Sequence, residues 1–165
     1  SSLKYIIINF MIKNKYISLL GFIIITFAAS AIGSFSTRIY KEPWYSSISK
    51  PSFNPPDWVF APVWTTLYIF MAIAIWLIWI NPKKTRKIFY IYFVHLFINA
   101  TWSVIFFGFH QIFLALINIV LIIFFIIWLI KLYLPINKLS VYLMIPYLAW
   151  CCYAFILNLN LYLLN

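Results

Sequence analysis

Five runs of about 18 or more predominantly apolar residues divide this chain: Tyr16 to Ser36, Ala61 to Ile80, Ile88 to Phe107, Ile112 to Leu134 and Leu139 to Leu164. A helix rising about 1.5 Å per residue needs about 20 apolar residues to cross the roughly 30 Å hydrocarbon core of a bilayer, so each run is long enough to span. With 165 residues, little chain remains once five spans and their connectors are counted. The fold class read from this pattern is an all-α integral membrane protein, a five-transmembrane-helix bundle. Residues 16–165 form its single domain, and residues 1–15 read as a separate interfacial segment. Tyr5 to Ile12 is too short to cross and is closed by Lys13-Asn14-Lys15. Ala28-Ala29-Ser30-Ala31 would suit a signal-peptide cleavage site, but the same small residues suit close helix packing, the preferred reading.

Short polar connectors at residues 81–87, 108–111 and 135–138 force antiparallel neighbours. The exception is the loop 37–60, which carries Pro43, Pro51, Pro55 and Pro56 and reads as a lid or binding element. The chain has 12 Lys and Arg against two acids, a formal charge of +10. In a soluble protein this balance would point to nucleic acid. Here the cations fall between apolar runs, so no nucleic-acid partner is implied. Nine lie on the side of the N-terminus and the second and fourth connectors, and only Arg38, Lys41 and Lys50 on the other. The excess of cations on the cytoplasmic side of membrane proteins predicts a cytoplasmic N-terminus, with the first loop and the C-terminus outside, in a bacterial cytoplasmic membrane.

Several chemistries lack their residues. No carboxylate lies in any span, which argues against an intramembrane proton relay or a paired-carboxylate site. His95 and His110 stand about 22 Å apart along one helix, too far to share a metal. Cys151 and Cys152 are neighbours in an apolar run and read as packing residues. What the spans do offer is aromatic and amide side chains at helical spacing: His95, Asn99, Trp102 and Phe106 on the third, Trp64, Tyr68, Met71 and Ile75 on the second, and Trp150, Ala154 and Asn158 on the fifth. Each stripe alone is explained by helix–helix packing. Three together, under a Pro- and Trp-rich loop, could line an apolar pocket with a few orienting hydrogen bonds.

The run from Trp44-Tyr45-Ser46-Ser47 through Lys50-Pro51-Ser52-Phe53-Asn54-Pro55-Pro56-Asp57-Trp58 to Trp64-Thr65-Thr66-Leu67-Tyr68 resembles the signature of the TspO/MBR family, the tryptophan-rich sensory proteins and translocator proteins. The likeness continues through Asn99-Ala100-Thr101-Trp102-Ser103, Ile105-Phe106-Phe107-Gly108, Pro146-Tyr147-Leu148-Ala149-Trp150 and Leu157-Asn158. The resemblance implies a dimeric five-helix bundle that binds porphyrins such as protoporphyrin IX, with haem a further possibility, and ligands of isoquinoline-carboxamide or benzodiazepine type. It implies a role in tetrapyrrole handling or stress sensing, with no required cofactor and no metal. Carried over by position, it makes Trp64, Tyr68, Asn99, Trp102 and Trp150 pocket residues and Trp44 and Tyr45 part of the loop that closes over the ligand. His95 and Ala154 join them from the stripes.

The resemblance leaves two other functions open: light- and oxygen-dependent porphyrin breakdown, for which Trp64 and Trp150 would be the catalytic candidates, and a structural dimer. Arg38, Lys41 and Lys50 could meet porphyrin propionates or simply anchor helix ends. Three positions depart from the pattern: Asn118 stands where many relatives carry an acid, His95 where some carry Gln, and Tyr162 lacks the following cation of the sterol-recognition pattern, so cholesterol is not an expected partner. Ala29 and Gly33 form a small-residue pair that makes the first helix a candidate dimer seam, with the third as its rival.

Overall fold

The computed structural model describes residues 2–165. Its elements are α1 (Ser2–Tyr40), the short α2 (Trp44–Ser47), a 3-10 turn at Asp57–Val59, α3 (Phe60–Trp79), α4 (Arg86–Ser103) running into a π-helical turn at Val104–Gly108, α5 (Ile112–Tyr133) and α6 (Lys138–Leu164). Five of these helices are long and apolar enough to cross a membrane. No strand occurs among the described residues.

Helix α1 differs from the sequence expectation. A boundary near residue 15 was expected, yet the helix continues through Lys13-Asn14-Lys15 without a break. Charge interrupts hydropathy, not backbone hydrogen bonding, and neither Pro nor Gly stands there to stop the helix. At its other end α1 runs through Thr37 to Tyr40, where Thr37 Oγ1 donates back to the Gly33 carbonyl at 2.9 Å. The irregular part of the first loop is therefore shorter than 37–60. Its 39 residues make α1 about 58 Å long.

The other helix ends follow local chemistry. Pro62 sits in the first turn of α3, where its missing N–H would have no helical partner in any case. The Asn137 side chain caps α6, accepting from the backbone N–H groups of Leu139 and Ser140 at 2.8 and 3.2 Å. Pro146 lies inside α6 and denies the Tyr142 carbonyl its usual amide partner.

The five long helices close a ring in the order α1, α3, α6, α5, α4 and back to α1. At the end of the bundle that carries the basic connectors, Met71, Ile75, Ile78, Ile88, Ile126, Leu129 and Met144 fill the centre. Hydroxyls pin neighbouring helices there: Thr26 Oγ1 and the Tyr92 hydroxyl lie 2.6 Å apart across α1 and α4, and Ser140 Oγ donates to the Ala74 carbonyl at 2.8 Å. Phe97, Phe124, Ile24 and Tyr142 face outward and exposed, as expected of a chain whose solvent is lipid. Because lipid is as apolar as Leu, the bundle is held by close packing and these interhelical hydrogen bonds rather than by apolar burial.

Gly33 is one of the close-packing positions. A Cβ built there would stand 3.3 Å from Ser103 Oγ on α4. The small-residue pair of α1 is thus used at Gly33 within the chain.

Candidate ligand cavity

In the other half of the bundle the helices separate around a cavity of about 440 Å³, within the range of small-molecule sites. Every long helix contributes. Ser30, Gly33, Ser34 and Thr37 come from α1, Ala61, Trp64 and Tyr68 from α3, Asn99, Trp102 and Ser103 from α4, Ile119 and Ile122 from α5, and Trp150, Ala154, Leu157 and Asn158 from α6. The π-helical turn adds Phe106 and Phe107, and the first loop adds Tyr45, Asn54 and Asp57, with Arg38 and Lys41 beside them.

Of the nine residues expected at the site, seven border this space: Trp64, Tyr68, Asn99, Trp102, Trp150, Tyr45 and Ala154. Two do not. Trp44 sits outside the wall, stacked on His110 at 4.2 Å between ring centres and edge-on to Phe106 at 5.3 Å. His95 is 0% exposed and lies behind the cavity floor. It is on the same face of α4 as Asn99, but one turn, about 6 Å, deeper, where the bundle has already closed. Met71 and Ile75 of the α3 stripe are likewise core residues for reasons of depth. The hydroxyl wall of α1 was not foreseen: Ser30, Ser34 and Thr37 have the small size of packing residues, and nothing in their spacing separates lining from packing.

The aromatic walls are braced by neighbouring rings. Trp64 packs against Tyr68 and Tyr147 at 5.6 and 6.3 Å, Trp150 against Phe60 and Tyr153 at 6.1 and 5.5 Å, and Trp102 is stacked on Phe106 at 4.9 Å. The Trp102 indole N–H donates to Asn158 Oδ1 at 3.1 Å, while Asn158 Nδ2 donates to the Ile112 carbonyl at 2.9 Å. Asn158 therefore both orients a wall and joins α4, α5 and α6. Asn158→Leu should leave the indole and the carbonyl without partners and lower stability by about 1–2 kcal/mol, read as an earlier thermal unfolding transition in detergent.

The floor is a buried polar chain. The Tyr68 hydroxyl donates to Asn99 Oδ1 at 2.6 Å, Asn99 Nδ2 donates to the Tyr147 oxygen at 2.8 Å, and the Tyr147 hydroxyl lies 2.6 Å from His95 Nε2. Nδ1 of His95 faces the Tyr92 carbonyl at 3.3 Å. Asn118 stands apart, donating to the Ile98 carbonyl and to Thr101 Oγ1 at 3.2 and 2.9 Å. It does not border the cavity.

The loop roof is tied down at several points. Lys41 pairs with Asp57, the Tyr153 hydroxyl donates to the Phe53 carbonyl at 2.8 Å, and the Asn165 side chain both accepts from the Ser49 N–H and donates to its carbonyl, at 2.9 and 2.8 Å. Tyr45 is the roof's inward anchor, edge-on to Phe107 at 5.6 Å, with the Lys50 and Lys41 ammonium groups 4.5 and 5.1 Å from its ring centre. Burial pushes the Tyr45 phenol above its ordinary range, opposed by the hydrogen bond from Asn54. Lys41 and Lys50 are thus engaged by Asp57 and Tyr45, and Arg38 has no acidic partner among the described residues.

A family model described as TspO/MBR family matches residues 22–163. The chain is 33% identical over 150 residues to the tryptophan-rich protein TspO of Archaeoglobus fulgidus, an alignment covering 90% of this chain and 97% of that one. It is 30% identical over 151 residues to protein CrtK of Rhodobacter capsulatus, covering 90% and 94%. It is also 34% identical over 119 residues to the human translocator protein, covering 70% of each.

Proposed function

The chain belongs to the TspO/MBR family, and from that premise we propose that it is a membrane receptor or carrier of porphyrins, protoporphyrin IX foremost. The observation that carries the reading is the cavity itself, walled by Trp64, Trp102 and Trp150 and rimmed by Arg38 and Lys41. A planar macrocycle offers large faces to such rings, and a propionate suits the Arg38 guanidinium at the mouth, which has no acidic partner among the described residues. Flat aromatic ligands of the isoquinoline-carboxamide or benzodiazepine type would use the same walls. The protein would handle or sense tetrapyrroles without an energy source of its own.

Titration of the purified protein with protoporphyrin IX in darkness, followed by the porphyrin absorbance band, tests this reading. Saturable one-site binding supports it, and partition no greater than into empty detergent micelles refutes it. Repeating the titration under light in air tests the enzymatic alternative, which draws its support from the position of Trp64 and Trp150 on the cavity wall. Loss of porphyrin that requires both indoles would make the protein a degrading enzyme.

The chain is an integral membrane protein, and its cation asymmetry supports a cytoplasmic N-terminus in a bacterial inner membrane. In a background lacking Cys151 and Cys152, an impermeant thiol reagent applied from the cytoplasmic side should label Thr85→Cys and not Ser47→Cys. Labelling of both would contradict the odd number of crossings. Pairing as a homodimer follows the family resemblance, through a face other than the one on which Gly33 meets Ser103.

A further inference from the structure

The direction of the hydrogen bonds beneath the cavity can be followed from its inner end. Nδ1 of His95 faces the Tyr92 carbonyl, which can only accept, so a bond there requires the imidazole proton on Nδ1. In neutral imidazole Nε2 is then an acceptor, and the Tyr147 hydroxyl must donate its proton to it across the 2.6 Å contact. The Tyr147 oxygen is left to accept from Asn99 Nδ2, and Asn99 Oδ1 to accept from the Tyr68 hydroxyl. Each donation fixes the next. At the end of the chain Tyr68, a residue that borders the cavity, has committed its only proton inward, and its oxygen is left with lone pairs alone.

The opposite circuit is also self-consistent. With the proton on Nε2, the imidazole would donate to Tyr147, Tyr147 to Asn99 Oδ1 with the amide turned over, and Asn99 Nδ2 to the Tyr68 oxygen. Tyr68 would then point its proton into the cavity. What separates the two is the Tyr92 carbonyl, which would meet an unprotonated Nδ1 lone pair to lone pair in the second circuit.

We propose that His95, acting through Tyr147 and Asn99, holds Tyr68 as a hydrogen-bond acceptor at the cavity floor and so selects planar ligands carrying an N–H donor over isosteres that can only accept. This rests on the cavity being the ligand site. His95 is a positioning residue, since it does not border the cavity, and Tyr68 is the residue that meets the ligand.

The test uses carbazole and dibenzofuran, planar tricycles of nearly the same shape that present an N–H and an ether oxygen at the same ring position. Affinities are measured for the full chain in lipid nanodiscs, corrected for uptake by empty discs. Wild type should favour carbazole by about three- to tenfold, the span of one neutral hydrogen bond. Tyr68→Phe should bring the ratio to about one while both probes still bind, and His95→Leu, which frees Tyr147 to turn toward Asn99, should lower it. A purely structural role for His95 would weaken both probes alike.

Imidazole nitrogen chemical shifts of the ligand-free chain give a readout that needs neither probe nor a folded His95 variant. His110→Asn removes the second imidazole, at a position of φ 55° that Asn tolerates, and the remaining signal should show the proton on Nδ1. A proton on Nε2, or a wild-type ratio of one, overturns the selection and leaves the cavity intact as a ligand site. Failure of both probes to bind overturns the site and the selection with it.

Discussion

Trp64→Ala and Trp150→Ala should each weaken protoporphyrin IX binding by about 2–3 kcal/mol, roughly 30- to 150-fold in Kd, from lost contact area plus aromatic pairing. The two indoles stand on different helices, α3 and α6, and each is backed by rings that do not reach the ligand space in its place: Tyr147 behind Trp64, Tyr153 behind Trp150. Truncation therefore opens a gap that the wall cannot refill. Trp79→Ala is the control. Trp79 is 41% exposed, packs on Phe22 and Phe89, and does not border the cavity, so its loss should change affinity less than about twofold. Porphyrin absorbance rather than tryptophan emission is the appropriate signal, because the substitutions remove emitters. Equal affinity in all three variants would remove both indoles from the site.

Gly33→Leu is expected to have the largest effect on stability. Its Cβ would press on Ser103 at a helix crossing, and the remaining side-chain atoms would have to enter the α1–α4 contact or the cavity that Gly33 borders. Overpacking a helix contact costs about 1–3 kcal/mol and more where backbone must move. The variant should unfold at lower temperature in detergent and lose porphyrin binding together with its fold. Gly33→Ala should be milder, and combining it with Ser103→Gly should recover stability beyond the sum of the single effects, since the two positions touch. A monomeric Gly33→Leu protein of unchanged melting temperature and affinity would instead make this face a seam between chains.

The five crossings were legible because hydropathy alone carries them. Their ends were less so. Lys13 and Lys15 mark a change in polarity that the backbone of α1 ignores, and Thr37 to Tyr40 look like loop until a helix is seen to continue through them. Periodicity placed Asn99, Trp102, Trp64 and Trp150 on faces that border the cavity, and for them face was enough. For His95, Met71 and Ile75 it was not, because a stripe along a helix records direction and says nothing of how far a cavity extends down the axis. The π-helical turn left no trace in the residues that form it: Val104-Ile105-Phe106-Phe107-Gly108 reads as continuing apolar helix.

That turn has a consequence for the numbering of everything after it. A π turn holds one residue more than the α-helix around it, which brings the consecutive Phe106 and Phe107 both inward, 1% and 8% exposed. Removing a single residue from an ordinary helix rotates all that follows by about 100°, and such deletions are seldom tolerated. Here the helix already contains a surplus residue. That surplus residue is what sets two neighbouring phenylalanines on the cavity wall, so deleting Ile105 should return the segment to the α repeat and turn one of the two rings out of the wall, while the loop that follows leaves α5 and α6 free to keep their register.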